Sequence, residues 1–103
     1  MSTLDNNVAH ALACGDNKSF GNTVVKDGAV YLHGNKIAWL AGQDLHITHC
    51  GWVTRTTMQR LQAILNQYMP RIKVGIKQGC AELRFADGTT EPFEGVVVLT
   101  KNA

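Results

Sequence analysis

The spacing of apolar residues changes within residues 51–70, which read GWVTRTTMQRLQAILNQYMP. Gly51 interrupts a strand-like pattern, and apolar residues then recur every three or four positions: Met58, Leu61, Ile64, Leu65 and Tyr68. The opposite side carries polar residues: Arg55, Gln59, Gln62 and Asn66. Pro70 ends the pattern, because the residue before a proline avoids helical angles. The stretch therefore predicts an amphipathic helix over about residues 55–68.

Short alternating runs upstream of this helix are typical of strands. Asp27-Gly28 is a strong signal for a two-residue hairpin turn, Gly34-Asn35 is a second turn signal, and Ala41–Asp44 is a third. These turns separate four predicted strands: Thr23–Val25, Ala29–His33, Lys36–Leu40 and Leu45–His49. We expect them to form an antiparallel meander.

Strand patterns resume after Pro70 and predict a second meander. Its strands are Ile72–Lys77, Cys80–Phe85, Thr89–Phe93 and Val96–Leu99. Pro92 indicates that the third of these lies at a sheet edge, because proline cannot donate to a strand ladder. The predicted fold is α+β: an antiparallel β-meander, one central α-helix at about residues 55–68, and a second β-meander, with the helix packed on the sheet.

The chain has 103 residues, which fits one domain. We assign residues 22–103 to a single α+β domain. Residues 1–21 are ambiguous: Val8, Ala11 and Leu12 recur at helical spacing and Gly15 is a stop signal, but the segment is poor in apolar bulk. A short docked helix and an N-terminal arm both fit this pattern.

Composition limits the class of protein. Hydrophobic residues make up 45% and charged residues 17%, which argues against disorder and favours a homo-oligomer, with a dimer as the default. No stretch has the ~20 apolar residues that a membrane span needs, and no signal peptide is recognisable. The three cysteines form no CxxC pair. We expect free thiols and a cytoplasmic location.

The predicted helix start has the composition of an anion site. The first backbone N–H groups of a helix lack internal partners, and the helix dipole is positive there. Hydroxyl, guanidinium and indole groups gather at this point: Trp52, Thr54, Arg55, Thr56, Thr57 and Arg60. No Asp or Glu occurs between Leu45 and Ala81. We therefore predict that these six residues bind a phosphorylated ligand, with a base stacked on Trp52.

Ordinary capping is the alternative at the same place. In that interpretation Thr54 or Thr56 caps the helix, and Trp52 lies in the core. A second candidate surface comprises Arg71, Lys73 and Lys77, which alternate with apolar residues and could follow a nucleic-acid backbone. A solvated outer face is the alternative interpretation of the same three residues.

Catalysis and metal binding have little support. His46 and His49 point to opposite faces of one strand, so they cannot share a metal without distortion. Cys50 follows His49, but adjacent strand residues also point apart. We expect no catalytic residue, no metal, no cofactor and no enzymatic activity.

Three blocks resemble one group of proteins: Asn22-Thr23-x-Val25, Leu32-His33-Gly34-Asn35-Lys36-Ile37-Ala38 and Gly51-Trp52-x-Thr54-x-Thr56-Thr57-x-x-Arg60-Leu61. This pattern is similar to small accessory proteins of tailed bacteriophages and prophages, a group with no assigned activity. The resemblance implies expression in the cytoplasm of a bacterial host. It also implies that the chain binds and disables a host factor, a defence protein or a defence signal.

Three hypotheses follow from these observations. The first is a counter-defence protein that sequesters a phosphorylated ligand, such as a nucleotide signal, at the helix start. The second is a protein-binding inhibitor of a host enzyme or defence complex. The third is a single-stranded nucleic-acid binder.

Overall fold

The computed structural model describes the backbone of residues 3–100 and the side chains of residues 6–100. Residues 1–2 of the predicted arm and residues 101–103 of the predicted domain lie outside this range. In chain order the elements are α1 (Thr3–Cys14), β1 (Lys18–Phe20), β2 (Thr23–Lys26), β3 (Ala29–Leu32), β4 (Asn35–Ala41), β5 (Asp44–Ile47), α2 (Arg55–Tyr68), β6 (Lys73–Lys77), β7 (Cys80–Arg84), β8 (Thr90–Pro92) and β9 (Val97–Thr100). The α+β class with one helix between two groups of strands is confirmed.

The first sheet has six antiparallel strands in the order β1-β2-β3-β4-β5-β9. Its four central strands, β2 to β5, are those of the predicted first meander. Residues on one face of these strands are buried, as at Val25 opposite Val30 and at Leu45 opposite Leu99. The alternation of apolar and polar residues thus reports which face meets the core.

Two hairpin turns in this sheet use residues with positive φ. Asp27 and Gly28 have φ angles of 52° and 76°, in the turn that the Asp-Gly pair predicts. The next turn is one residue earlier than predicted, because His33 and Gly34 occupy its centre with φ angles of 51° and 81°. Asn35 is instead the first residue of β4.

The last strand does not belong to the second meander, and this part of the prediction was wrong. The second sheet contains only β6, β7 and β8, whereas β9 pairs with β5 at the edge of the first sheet. Burial accounts for the difference, because Leu99 joins the common core opposite Leu45. The predicted edge position of the strand with Pro92 is confirmed, since β8 ends the three-stranded sheet.

The two helices pack on each other and share one hydrophobic core with both sheets. Helix α2 has the predicted bounds and contributes Leu61, Ile64 and Leu65 to this core. Helix α1 contributes Val8 and Leu12, so the N-terminal segment contains a docked helix. Neither helix is long and apolar enough to span a membrane, among the residues described.

Candidate functional site

Thr54 caps the start of α2. Its backbone is extended, with φ −124° and ψ 159°, and its Oγ1 accepts a hydrogen bond from the backbone N–H of Thr57 at 3.3 Å. The hydroxyl oxygens of Thr54 and Thr57 also lie 3.0 Å apart. Ordinary capping, the alternative drawn from the sequence, is therefore present, and it occupies one of the N–H groups at the helix start.

Two N–H groups at the helix start remain available. The first helical hydrogen bond runs from Met58 N–H to the carbonyl of Thr54, so the N–H groups of Arg55 and Thr56 precede the ladder. Within residues 3–100, neither group has a hydrogen-bond partner. The first turn of α2 contains no acidic residue. Both N–H dipoles and the positive end of the helix are thus open to an external anion.

A cavity of about 260 Å³ lies beside this helix start. Its walls come from the end of β3, the following turn, β4, and the segment that leads into α2: Leu32, His33, Ile37, Trp52, Thr54, Thr56 and Thr57. Leu32 and Ile37 are buried and apolar, whereas the threonines contribute hydroxyl groups. The cavity therefore combines an apolar floor with a polar rim, which is the usual composition of a small-ligand site.

Trp52 lines the cavity and has 55% of its surface exposed. Its backbone N–H donates to the carbonyl of His49 at 2.8 Å, in the turn that Gly51 permits with φ 81°. The alternative that Trp52 fills the core is therefore wrong. Its ring is available for stacking.

His33 lines the cavity although sequence reasoning did not select it. Its position follows from the β3–β4 turn, which holds its backbone in the left-handed region at φ 51°. Its Nε2 lies 3.5 Å from Nδ2 of Asn22. One signal could have found this residue, because His33, Leu32 and Ile37 all fall within the second of the three family-like blocks.

Arg55 does not line this cavity. It lines a more open groove of about 390 Å³ between α2 and β6, together with Met58, Gln59, Gln62, Val74 and Ile76. Gln62 fixes one wall of the groove, since its Oε1 accepts a hydrogen bond from the backbone N–H of Val74 at 2.9 Å. Arg55 is therefore not part of the cavity lining, although its backbone N–H belongs to the same helix start as Thr54 and Thr56.

Arg60 is buried rather than presented to a ligand, with 6% of its surface exposed. Its Nε donates a hydrogen bond to Oγ1 of Thr23 at 3.1 Å. Of the six residues predicted to bind a ligand, the structure brings Trp52, Thr54, Thr56 and Thr57 to the cavity. Arg55 and Arg60 lie elsewhere.

The predicted basic surface is mixed in charge. Lys73 and Lys77 are exposed on β6, and Arg71 is exposed in the turn before it. Arg84 lies opposite Lys73, but its Nε is only 2.6 Å from Oε2 of Glu82 on the same strand. This carboxylate interrupts the positive face, which weakens its fit to a phosphate backbone.

The histidines and cysteines have separate environments. His49 Nε2 lies 2.9 Å from the carbonyl oxygen of Phe93, and His46 stacks on Trp39 with a centroid distance of 5.1 Å. No group of three or more His, Cys, Asp or Glu that could hold a metal occurs among the described residues. All three cysteines are free and exposed.

A protein-family model, described as Kyanoviridae Gp96 protein, matches residues 1–99. The chain belongs to the Kyanoviridae Gp96 protein family. The match includes the whole helix start, the cavity and α1. No curated protein and no solved structure matches the chain.

Membership in the Gp96 family identifies the chain as a phage accessory protein. This confirms the broad resemblance drawn from the sequence blocks. It also extends that resemblance to the N-terminal 21 residues, which the three blocks did not include. The family description states no activity, so function has to be argued from the site.

Proposed function

We propose that this Gp96-family chain is a non-enzymatic phage binding protein that sequesters a compact phosphorylated ligand, such as a nucleotide signal of host defence. The observation that carries this proposal is the cavity of about 260 Å³ at the start of α2. Its rim, its stacking residue and its unpaired N–H groups each match one part of a nucleotide.

The phosphate occupies the helix start. The N–H groups of Arg55 and Thr56, which precede the first helical hydrogen bond, donate to phosphate oxygens. The exposed hydroxyl of Thr56, in the cavity wall, adds a third donor. The helix dipole contributes a partial positive charge of roughly +0.5 at this end. Because no acid stands in the first turn, nothing there repels the anion.

The base or another flat ring lies against Trp52. Base stacking on an aromatic side chain contributes about 1–3 kcal/mol and tolerates different bases. Leu32 and Ile37 form the apolar floor, and His33 offers an imidazole to the edge of the ring. The cavity is slightly smaller than the roughly 300–1,000 Å³ common for drug-sized ligands. A mononucleotide therefore fits the proposal better than a long dinucleotide.

Calorimetry against a panel of nucleotides and cyclic nucleotides tests the proposal. We expect heat of binding with at least one phosphorylated member and none with the matching nucleoside, because the phosphate contacts the helix start. Gln59→Ala in the separate groove is the matched control and should leave the affinity unchanged. Absence of binding heat with every nucleotide of the panel, in a folded sample, would contradict the proposal.

A second candidate, a protein-binding inhibitor of a host enzyme or defence complex, is favoured by the groove between α2 and β6. Ile76 is 39% exposed there, beside Met58 and Val74. An apolar groove with Arg55 and two glutamines at its margin suits a protein segment better than a small anion. Affinity capture from host lysate distinguishes the two candidates. The second candidate would be favoured by a stoichiometric partner whose binding is lost in Ile76→Lys and kept in Trp52→Ala.

A further inference from the structure

The described parts of the two sheets present four edge strands, and three of them carry features that discourage pairing with another chain. Natural sheet edges avoid pairing with other chains by being short or by carrying proline, lysine or other charged residues. The short edge β1 has Lys18, β6 has Lys73 and Lys77, and β8 has Glu91 and Pro92. The fourth, β9, has the sequence Val97-Val98-Leu99-Thr100, with neither a charge nor a proline.

Strand β9 is held in a geometry that can accept a further strand. All four of its residues pair with β5, and Oγ1 of Thr100 donates to Oδ1 of Asp44 at 2.9 Å. Val98 is 51% exposed, and Val96 just before the strand is 52% exposed. No strand within residues 3–100 pairs with its outer edge.

We propose that β9 is a dimer interface, at which it pairs antiparallel with β9 of a second copy of this chain. A two-fold axis normal to the sheet places Val98 opposite its own symmetry copy and Val96 opposite Thr100. The two six-stranded sheets then become one continuous sheet. This surface is separate from the proposed ligand cavity at the start of α2.

A second copy is the occupant that the charge pattern favours. Residues 95–100 contain no charged side chain, so two copies of this edge meet without like-charge repulsion. Antiparallel pairing also places the apolar residues of β9 beside the same residues of the second copy. Val98 lies opposite His46, which stacks on Trp39, so this row of uncharged side chains in each sheet would continue with Val98 of the second copy.

The size of the contact sets its strength. Pairing along one four-residue strand buries much less than the roughly 1,600 Å² of a standard stable interface. The dimer is therefore weak and depends on concentration.

Sedimentation velocity on the full chain tests this interface. The samples span about 10 µM to 1 mM, a range suited to weak association, and contain reductant because Cys14, Cys50 and Cys80 are exposed thiols. We expect a shift from monomer to dimer with rising concentration. Val98→Lys should weaken association at least tenfold.

Two further variants show whether the exposed edge itself makes the contact. Val96 lies just outside the strand, so Val96→Lys should weaken association even if Val98→Lys disturbs folding, which circular dichroism reports. Val24→Lys is the matched control, because Val24 is 37% exposed but lies on the interior strand β2. The proposal would be overturned if the chain stays monomeric throughout the concentration range, or if both edge variants still dimerise. It would also be overturned if Val24→Lys weakens self-association as much as the edge variants do.

Discussion

Nε of Arg60 donates a hydrogen bond to Oγ1 of Thr23 at 3.1 Å, and this contact joins α2 to β2 in the interior. Thr23 is fully buried and Arg60 nearly so, with exposures of 0% and 6%. A buried guanidinium needs hydrogen-bond acceptors, because leaving a buried donor without an acceptor lowers the free energy of unfolding. Arg60 therefore has a structural role at the contact between α2 and β2.

Thr23→Val should destabilise the protein, because valine keeps the volume but removes the acceptor of Arg60 Nε and the hydroxyl that donates to Oδ1 of Asn22. We expect a loss of about 1–3 kcal/mol in the free energy of unfolding, measured by urea denaturation. Thr90→Val in the exposed edge strand β8 is the control and should change stability little. Equal stability of the Thr23 variant and the wild type would show that the hydrogen bonds of the Thr23 hydroxyl contribute nothing.

Thr54→Ala should separate capping from ligand binding. Loss of the cap to the Thr57 N–H should cost about 1 kcal/mol in unfolding free energy. Thr56→Ala lies in the same turn, and its hydroxyl makes no hydrogen bond within the described residues, so stability should hold while ligand affinity falls. The pair of measurements is urea denaturation and calorimetry. Similar losses of stability in both variants would contradict the assignment of Thr54 as the cap.

Alkaline pH should weaken the packing around Tyr68. Burial, and next the electrostatic influence of the nearby Cys14, raise the pKa of Tyr68 above its ordinary value of 10.0. A group whose pKa is higher in the folded state contributes stability that is complete below the unfolded pKa. This contribution is lost as the pH rises through the folded pKa.

Tyr68→Phe isolates this effect, because phenylalanine has no proton to lose. The stability of the wild type relative to this variant should be constant below about pH 10, the unfolded pKa of tyrosine, and should fall above it. Urea midpoints of both proteins across this range give the comparison. A constant difference between the two proteins on both sides of that pH would count against the raised pKa.

Helix α2 and the hairpins were predictable from local sequence because their signals are local. The spacing of Met58, Leu61 and Ile64 has the period of a helix, and Asp27-Gly28 has the positive φ angles that its turn requires. The pairing of β9 with β5 was not predictable in this way. Alternation reports that a strand has a buried face, but it does not say which distant strand lies beside it.

The candidate site was predicted in part for a similar reason. Trp52, Thr54 and Thr56 were found because they surround a recognisable helix start. Arg60 was assigned to the site by its charge alone. Its spacing points the other way, because it follows Thr57 by three residues and precedes Ile64 by four, and these positions share the buried side of α2. His33 was missed because only the folded turn brings it to the cavity, about twenty residues from Trp52 along the chain.

An amide NMR titration of the full chain with the nucleotide selected by calorimetry tests the central claim most directly. If the start of α2 binds the phosphate and Trp52 stacks the base, the largest shifts should fall on the backbone amides of Arg55 and Thr56 and on the indole N–H of Trp52. Amides of β8, which does not line the cavity, serve as the internal reference. Shifts at other positions, with none at the start of α2, would contradict the proposed site.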